Sequence, residues 1–215
     1  MKKIGYILIA FLLITGIVFS QNIFGDGSSG DLEVANGETY YTDQIKTYVV
    51  GNNSSGQNAI GVNNTTGFSV DDEILIVTMQ DPTENLVENS TGNYEFRTIS
   101  SIETGFLHLD NSLEYSFDSD GGIDHQVIKV SNFSSVTNNG TITCSSWNGT
   151  TGGILCFKVD GVMTNNGTII ASGLGYRGGS TGSGPGSFAN RTGYQGESIF
   201  GLGIQDYSSN QNGGG

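Results

Sequence analysis

The residues that could do chemistry are few. Asp118, Asp120 and Asp124 stand in the stretch Asp-Ser-Asp-Gly-Gly-Ile-Asp. Alternating carboxylates on a glycine-rich loop are the kind of oxygen donor set that Ca2+ takes, so this stretch is a candidate calcium site. The competing reading is a set of solvated turn acids, because the full EF-hand spacing is missing. Asp26 and Asp31 form a sparser pair with the same two readings. Cys144 and Cys156 can bridge in an exported chain or serve as two small buried hydrophobes. Their spacing does not choose, since a disulfide depends on Cα separation. His108 and His125 have no His-x-x-x-His or Cys-x-x-Cys company, which argues against zinc. No Gly-x-Ser-x-Gly elbow stands between a strand and a helix, and no phosphate-binding Gly-Lys-Ser/Thr occurs. No cofactor is expected apart from calcium.

Polysaccharide chemistry is constrained in the same way. A hydrolase needs two placed carboxylates, yet residues 126–173 contain a single acid, Asp160. A lyase needs a basic proton acceptor beside acidic ligands. Lys46, Arg97, Lys129, Lys158, Arg177 and Arg191 all lie outside the acidic clusters. The segment is therefore expected to be non-catalytic.

The elements that must position these residues are strands. Residues 1–20 read as a signal peptide, with Lys2 and Lys3 before an apolar run and a cut after Ser20. The alternative is a retained anchor, for which the run is short. Removing both lysines takes the formal charge from −13 to −15, a surface that repels nucleic acid and anionic lipid. Beyond residue 20 no 3.6-residue apolar period is sustained. Short β-rich runs lie between Gly, Asn, Asp and Ser clusters instead. Residues 21–58 read as a lead-in and 59–125 as a small β unit. The unit includes a hairpin, Tyr94–Ile102 and Phe106–Leu109, turning at Glu103-Thr104-Gly105.

The strongest signal is a repeat. Thr-Asn-Asn-Gly-Thr-Ile occurs at 137–142 and again at 164–169, and Ile128-Lys129-Val130 aligns with Phe157-Lys158-Val159. In a parallel β-solenoid, equivalent residues of successive coils lie about 4.8 Å apart. Asn138 would then stack on Asn165, Asn139 on Asn166, Ile142 on Ile169 and Val136 on Met163. The amides would form a ladder, with Gly140 and Gly167 permitting the bend between faces. The rival reading is two hairpins, each closed at Asn-Gly. The match extends into the preceding strand, which favours stacking. Lys129 and Lys158 would then face solvent. The fold class expected is all-β: a small β unit followed by a single-stranded right-handed parallel β-helix over 126–173, then a Gly-rich segment over 174–215. Solenoids need caps, so the chain reads as the front of a longer protein.

These blocks resemble a widespread group of secreted and surface-exposed β-helix proteins of prokaryotes. The pieces that carry the resemblance are Phe-Gly-Asp-Gly-Ser-Ser-Gly-Asp-Leu-Glu-Val (24–34), the runs at 67–80, 93–113 and 126–130, the stretch 147–179 and the Gly-rich tail. The resemblance implies a large adhesin-like or surface-layer molecule. One departure is Asp71-Asp72, where similar sequences have Gly-Asp at the turn.

Three functions follow in order. The first is a structural or adhesive solenoid, extracellular or at the cell surface, whose partner is a glycan or protein and which lies free of the membrane after signal cleavage. The second is the N-terminal part of a carbohydrate-active β-helix enzyme with its catalytic coils beyond residue 215. The third is a self-assembling subunit of an extracellular filament.

Overall fold

The computed structural model describes residues 24–179, 193–194, 196–201 and 205–206. The signal-peptide segment and most of the Gly-rich tail lie outside the described residues. Among the described residues, no helix is long and apolar enough to cross a membrane.

The described part opens with a coil. β1 (Asp31–Val34) and β2 (Thr39–Tyr41) are two short strands joined by a corner. Six strands then form a separate sheet: β3 (Lys46–Tyr48), β4 (Ala59–Gly61), β5 (Glu73–Gln80), β6 (Tyr94–Glu103), β7 (Phe106–Leu109) and β8 (Asp124–Lys129). Their order is β3-β8-β5-β6-β7-β4, all antiparallel. The sheet closes on itself. Val49 bridges Val62, and the two edges exchange hydrogen bonds from Val50 N–H to Gly61 O (2.9 Å) and from Asn63 N–H to Tyr48 O (3.0 Å). A second coil follows as β9 (Ser131–Phe133), β10 (Ser135–Asn138) and β11 (Thr141–Thr143). The third is β12 (Phe157–Val159), β13 (Met163–Asn165) and β14 (Thr168–Ile169).

The three coils stack in parallel. β10 lies between β1 and β13, β11 lies between β2 and β14, and β9 pairs with β12. The register puts Val136 on Met163, Asn138 on Asn165, Thr141 on Thr168 and Ile142 on Ile169. The hexapeptide recurs because its residues become axial neighbours. Asn138 Nδ2 donates to Asn165 Oδ1 at 2.7 Å, and Asn166 Nδ2 donates to Asn139 Oδ1 at 3.0 Å. The amide ladder therefore forms at both positions.

Four expectations change. The lead-in of 21–58 contains the first coil and the first barrel strand, so the β unit is inserted between coils one and two. Coil two begins at Ser131 rather than at residue 126, because Val127 and Ile128 belong to the barrel strand β8. Lys158 accordingly opposes Asn132, not Lys129. Neither lysine is free in solvent. Lys129 pairs with Asp72 (2.7 Å), and Lys158 pairs with Glu73 (2.6 Å). Gly140 and Gly167 serve close approach rather than a left-handed bend. A Cβ on Gly140 would lie 2.4 Å from Ala35 O of the coil below, and one on Gly167 would lie 2.1 Å from Gly140 O.

Three apolar clusters hold the assembly. Ile60, Ile74, Ile76, Ile99, Leu107 and Phe117 fill the barrel. Val34, Phe133, Val136 and Ile142 fill the solenoid. Leu75, Val77 and Met79 on the outer face of β5 pack with Val130 and Trp147 at the seam. Every residue of β5 after Glu73 is buried, so alternate side chains serve two cores. Burying each such side chain is worth about 1.5–3 kcal/mol.

Asp71 takes the tight turn before β5 with φ of 70°, the non-glycine residue with positive φ among the described residues. Asp tolerates this conformation better than most residues. Asp71→Val is expected to lose about 1–2 kcal/mol, whereas Asp71→Gly stays within about 0.5 kcal/mol because relief is offset by unfolded-state entropy. Chemical denaturation of both variants checks this. For the ladder, Asn138 is fully buried and also donates to Thr168 O while its Oδ1 accepts from Gly140 N–H. Asn138→Ala should cost about 2 kcal/mol, and exposed Asn166→Ala less than about 0.5 kcal/mol, in the same unfolding assay.

Candidate functional site

The barrel and the solenoid meet at an open groove of about 530 Å3. Its construction begins with β3, which carries Tyr48 at the barrel edge beside β8. The chain leaving β3 supplies Val50 and Gly51, and the turn at Asp120–Gly122 supplies the opposite lip. Thr150, from the connection between coils two and three, closes the groove. Tyr48 and Val50 are each 37% exposed, so an apolar ring and an aliphatic side chain face solvent beside carboxylates and a hydroxyl.

The frame beneath is rigid. Gln126 is fully buried and clamps the backbone of Gly152, donating to its carbonyl at 3.0 Å and accepting from its N–H at 2.9 Å. That pair fixes the loop bearing Thr150 against the barrel. Within the loop, Asn148 Oδ1 accepts the N–H groups of Thr150 (2.9 Å) and Thr151 (3.0 Å), a local turn built by an Asn side chain. On the other side, buried Asn53 donates to Val50 O, Gly51 O and Phe117 O, and accepts from Gly61 N–H at 2.6 Å. Asn53 and Gln126 did not stand out in the sequence, because nothing in a polar residue's neighbours tells that it will be buried as a hub.

The acids proposed for calcium are divided among separate tasks. Asp118 Oδ1 accepts Asn53 N–H at 2.6 Å. Asp120 is exposed on the lip, and Asp124 starts β8, half-buried in the groove wall. Among the described residues, no three His, Cys, Asp or Glu side chains are grouped so as to hold a metal ion. The Asp26–Asp31 pair is split similarly, with Asp26 capping Ser28 N–H and Asp31 accepting from the Ser135 hydroxyl. Cys144 and Cys156 are free thiols. Burial pushes both thiols up, and Cys156 packs at the seam, so neither is a reactive thiolate.

Electrostatics separates the two acids nearest the seam. Burial raises the Asp124 carboxyl, reinforced by the charge of Glu197. Glu197 also suffers burial, yet the Arg177 guanidinium and backbone N–H hold it below the usual carboxylate range. Glu197 is engaged by that ion pair, whereas Asp124 lines the groove.

His125 lies beneath the groove, edge-on to Phe117 at 5.5 Å. Its Nε2–H donates to Asp118 O (3.1 Å), so Nδ1 accepts the Thr78 hydroxyl (2.9 Å). A carbonyl can only accept, which sets this tautomer. Burial pushes the His125 pKa down, against smaller raising effects from Asp118 and Asp81.

No protein-family model matches the chain, and no curated protein matches it. Among solved structures it is similar to the Gp54 tailspike of Acinetobacter baumannii bacteriophage AP22 in complex with A. baumannii capsular saccharide. That match has 11% identity over 65% of this chain and 27% of the tailspike, with a TM-score of 0.35. It is also similar to the tailspike gp49 from Pseudomonas phage LKA1 (11% identity, 54% and 27% covered, TM-score 0.31). A third match is the Pseudomonas phage phi297 tailspike gp61 (10% identity, 65% and 25% covered, TM-score 0.33). The chain spans about a quarter of the length of these tailspikes. By its own strand pairing, the protein is an all-β molecule in which stacked parallel coils carry a closed antiparallel barrel.

The His125 geometry has a pH consequence. A folded pKa below the ordinary value means that the unfolded chain takes up the proton first as pH falls. His125 therefore contributes its full stability above about pH 6.5 and loses it progressively below. Melting temperature should fall from pH 7 to pH 5 in the wild type, and this slope should be shallower in His125→Gln.

Proposed function

We propose that the chain is an extracellular, non-catalytic module that binds a neutral or amino-bearing glycan in the groove at the barrel–solenoid seam. The observation that carries this reading is the convergence of the Tyr48 ring, the Asp120 and Asp124 carboxylates and the Thr150 hydroxyl on one clamped frame. A sugar ring presents a patch of C–H groups on one face and hydroxyls around its rim. An exposed aromatic ring meets the first, and oxygen acceptors meet the second. The frame is held by buried amides rather than by mobile side chains, so little ordering has to be supplied on binding. The formal charge of −13 repels acidic polysaccharides, which narrows the ligand to uncharged or basic sugars.

The non-catalytic part rests on the engagement of Glu197 by Arg177 beside the groove acid Asp124. A glycosidase needs two carboxyls that both reach the scissile bond, and Glu197 does not line the groove. Export is part of the same proposal and rests on the basic, apolar N-terminal segment.

A glycan array probed with the full chain tests the reading. Binding to a restricted set of neutral or amino sugars is expected, without release of shorter oligosaccharides. Tyr48→Ala should weaken binding roughly tenfold, an aromatic contact being worth about 1 kcal/mol or more, with an unchanged melting temperature. Uniform silence across the array, or preference for uronic acids, would sink the proposal.

A further inference from the structure

Three side chains from distant parts of the chain meet at one point between the coils and the barrel. Asn132 is the central residue of β9 and Lys158 of β12, and the parallel register places them directly opposite one another. Neighbours opposed in a ladder project to the same side. Glu73, the first residue of β5, reaches across from the barrel. Its Oε1 lies 2.6 Å from Lys158 Nζ, and its Oε2 accepts from Asn132 Nδ2 at 3.0 Å. One carboxylate thus holds an amine and a carboxamide, one on each oxygen.

The surroundings restrict solvent at the amide and the amine, while the Glu73 side chain stays 23% exposed. Asn132 is 4% exposed, and the Lys158 side chain is 15% exposed. The face of Phe96 covers Nζ at 4.6 Å from the ring centre. Gly25 forms the roof. A Cβ there would lie 2.8 Å from Asn132 Oδ1 and 2.9 Å from Lys158 Cβ, so the backbone itself lies over the pair.

We propose that Lys158 and Asn132 become joined by a side-chain amide formed within the folded chain, with Glu73 moving the protons. The ion pair first passes its proton from Nζ to Glu73 Oε1, leaving a neutral amine and a carboxylic acid. Rotation of the Asn132 amide, which gives up the Nδ2 bonds to Glu73 and to Val130 O (3.1 Å), turns Oδ1 toward that acid. The Nζ lone pair attacks Cγ and forms the new C–N bond, while the C=O π pair moves to Oδ1, which takes the proton from Glu73. As the carbonyl re-forms, Glu73 recovers that proton. The attacking nitrogen's surplus proton passes to Nδ2, the Cγ–Nδ2 bond breaks, and the departing ammonia takes the proton held by Glu73, so that ammonium leaves and Glu73 is again a carboxylate. The products are one secondary amide and one ammonium ion from one lysine ammonium and one carboxamide. Nothing is oxidised or reduced, and Glu73 is regenerated. Holding amine and amide on one carboxylate supplies the proximity that the reaction needs, and the burial of Asn132 under the Gly25 backbone limits the access of water to Cγ. The bond would lock coil three to coil two, in a chain whose two cysteines are free.

Peptide mapping by mass spectrometry of the folded full chain decides the matter. The expected result is a branched species joining the peptide of Asn132 to that of Lys158, lighter than their sum by one ammonia. Lys158→Arg and Glu73→Gln should each abolish the branched species. Because Glu73→Gln also removes an ion pair and could impair folding, Asn132→Asp provides a second route. It keeps the shape and should give the same branch with loss of water. Unbranched peptides from well-folded wild-type protein would overturn the proposal. So would an ammonia loss that survives in Lys158→Arg, because Asn139-Gly140 or Asn166-Gly167 could then be its source.

Discussion

The distance between coils is set at one corner. There the backbone of each coil passes so near its neighbour that a side chain cannot fit, as the approaches of Gly140 to Ala35 and Gly167 to Gly140 show. This close packing brings Asn138 within hydrogen-bonding reach of Asn165 and lets Asn138 fasten Gly140 N–H on its own coil. The buried amide and the absent Cβ are one device. A larger residue at either glycine would pry the coils apart and strand the polar groups of Asn138, which is costly inside a protein. Coil spacing then fixes how Phe133, Val136 and Ile142 stack, and hence the solenoid core.

The barrel depends on the same frame. β5 buries Ile74 and Ile76 inside the barrel while Leu75, Val77 and Met79 pack against Trp147 and its neighbours. Neither body is complete alone, since separation would expose the outer face of β5. Polar contacts then fix the angle of the join. Glu73 ties β5 to coils two and three through Asn132 and Lys158, and Gln126 ties β8 to the backbone of Gly152. The groove lies along this join, so its shape is set by two cores instead of by a free loop. That is the physical reason to expect a preorganised binding surface there.

Much of this was legible in the sequence. The repeated Thr-Asn-Asn-Gly-Thr-Ile predicted the register of coils two and three residue by residue, because identity at axial positions reflects direct contact. The hairpin of β6 and β7 followed from Gly105, which takes φ of 81°. Coil one was hidden. Asp31–Tyr41 pairs with coil two through Leu32 on Val136 and Tyr40 on Ile142, yet its corner is longer and lacks the hexapeptide. The barrel inserted after it removes any fixed period. The shared Lys-Val at 129–130 and 158–159 misled by identity, since pairing follows backbone position and Ser131–Phe133 is the true partner of Phe157–Val159. At the groove, Asp120 and Asp124 were visible as an acidic run, but Tyr48 and Thr150 came from segments that only the fold joins.

Among the described residues, the two outer edges of the stack differ in a way that follows from the same axial logic. On coil one, Asp31 and Glu33 lie on the outer strand and Glu38 at the corner. Charges on an exposed edge oppose further strand pairing. On coil three, residues 161–170 carry no charge, and Val162, Met163, Ile169 and Ile170 are 69%, 38%, 39% and 41% exposed. Val136 and Ile142, the coil-two partners of Met163 and Ile169, are 1% and 0% exposed because coil three covers them. Among the described residues, coil three differs from coil two in having a pairing coil on one side only. Among the described residues the stack is thus polar along its axis, acidic on the outer edge of coil one and uncharged on that of coil three.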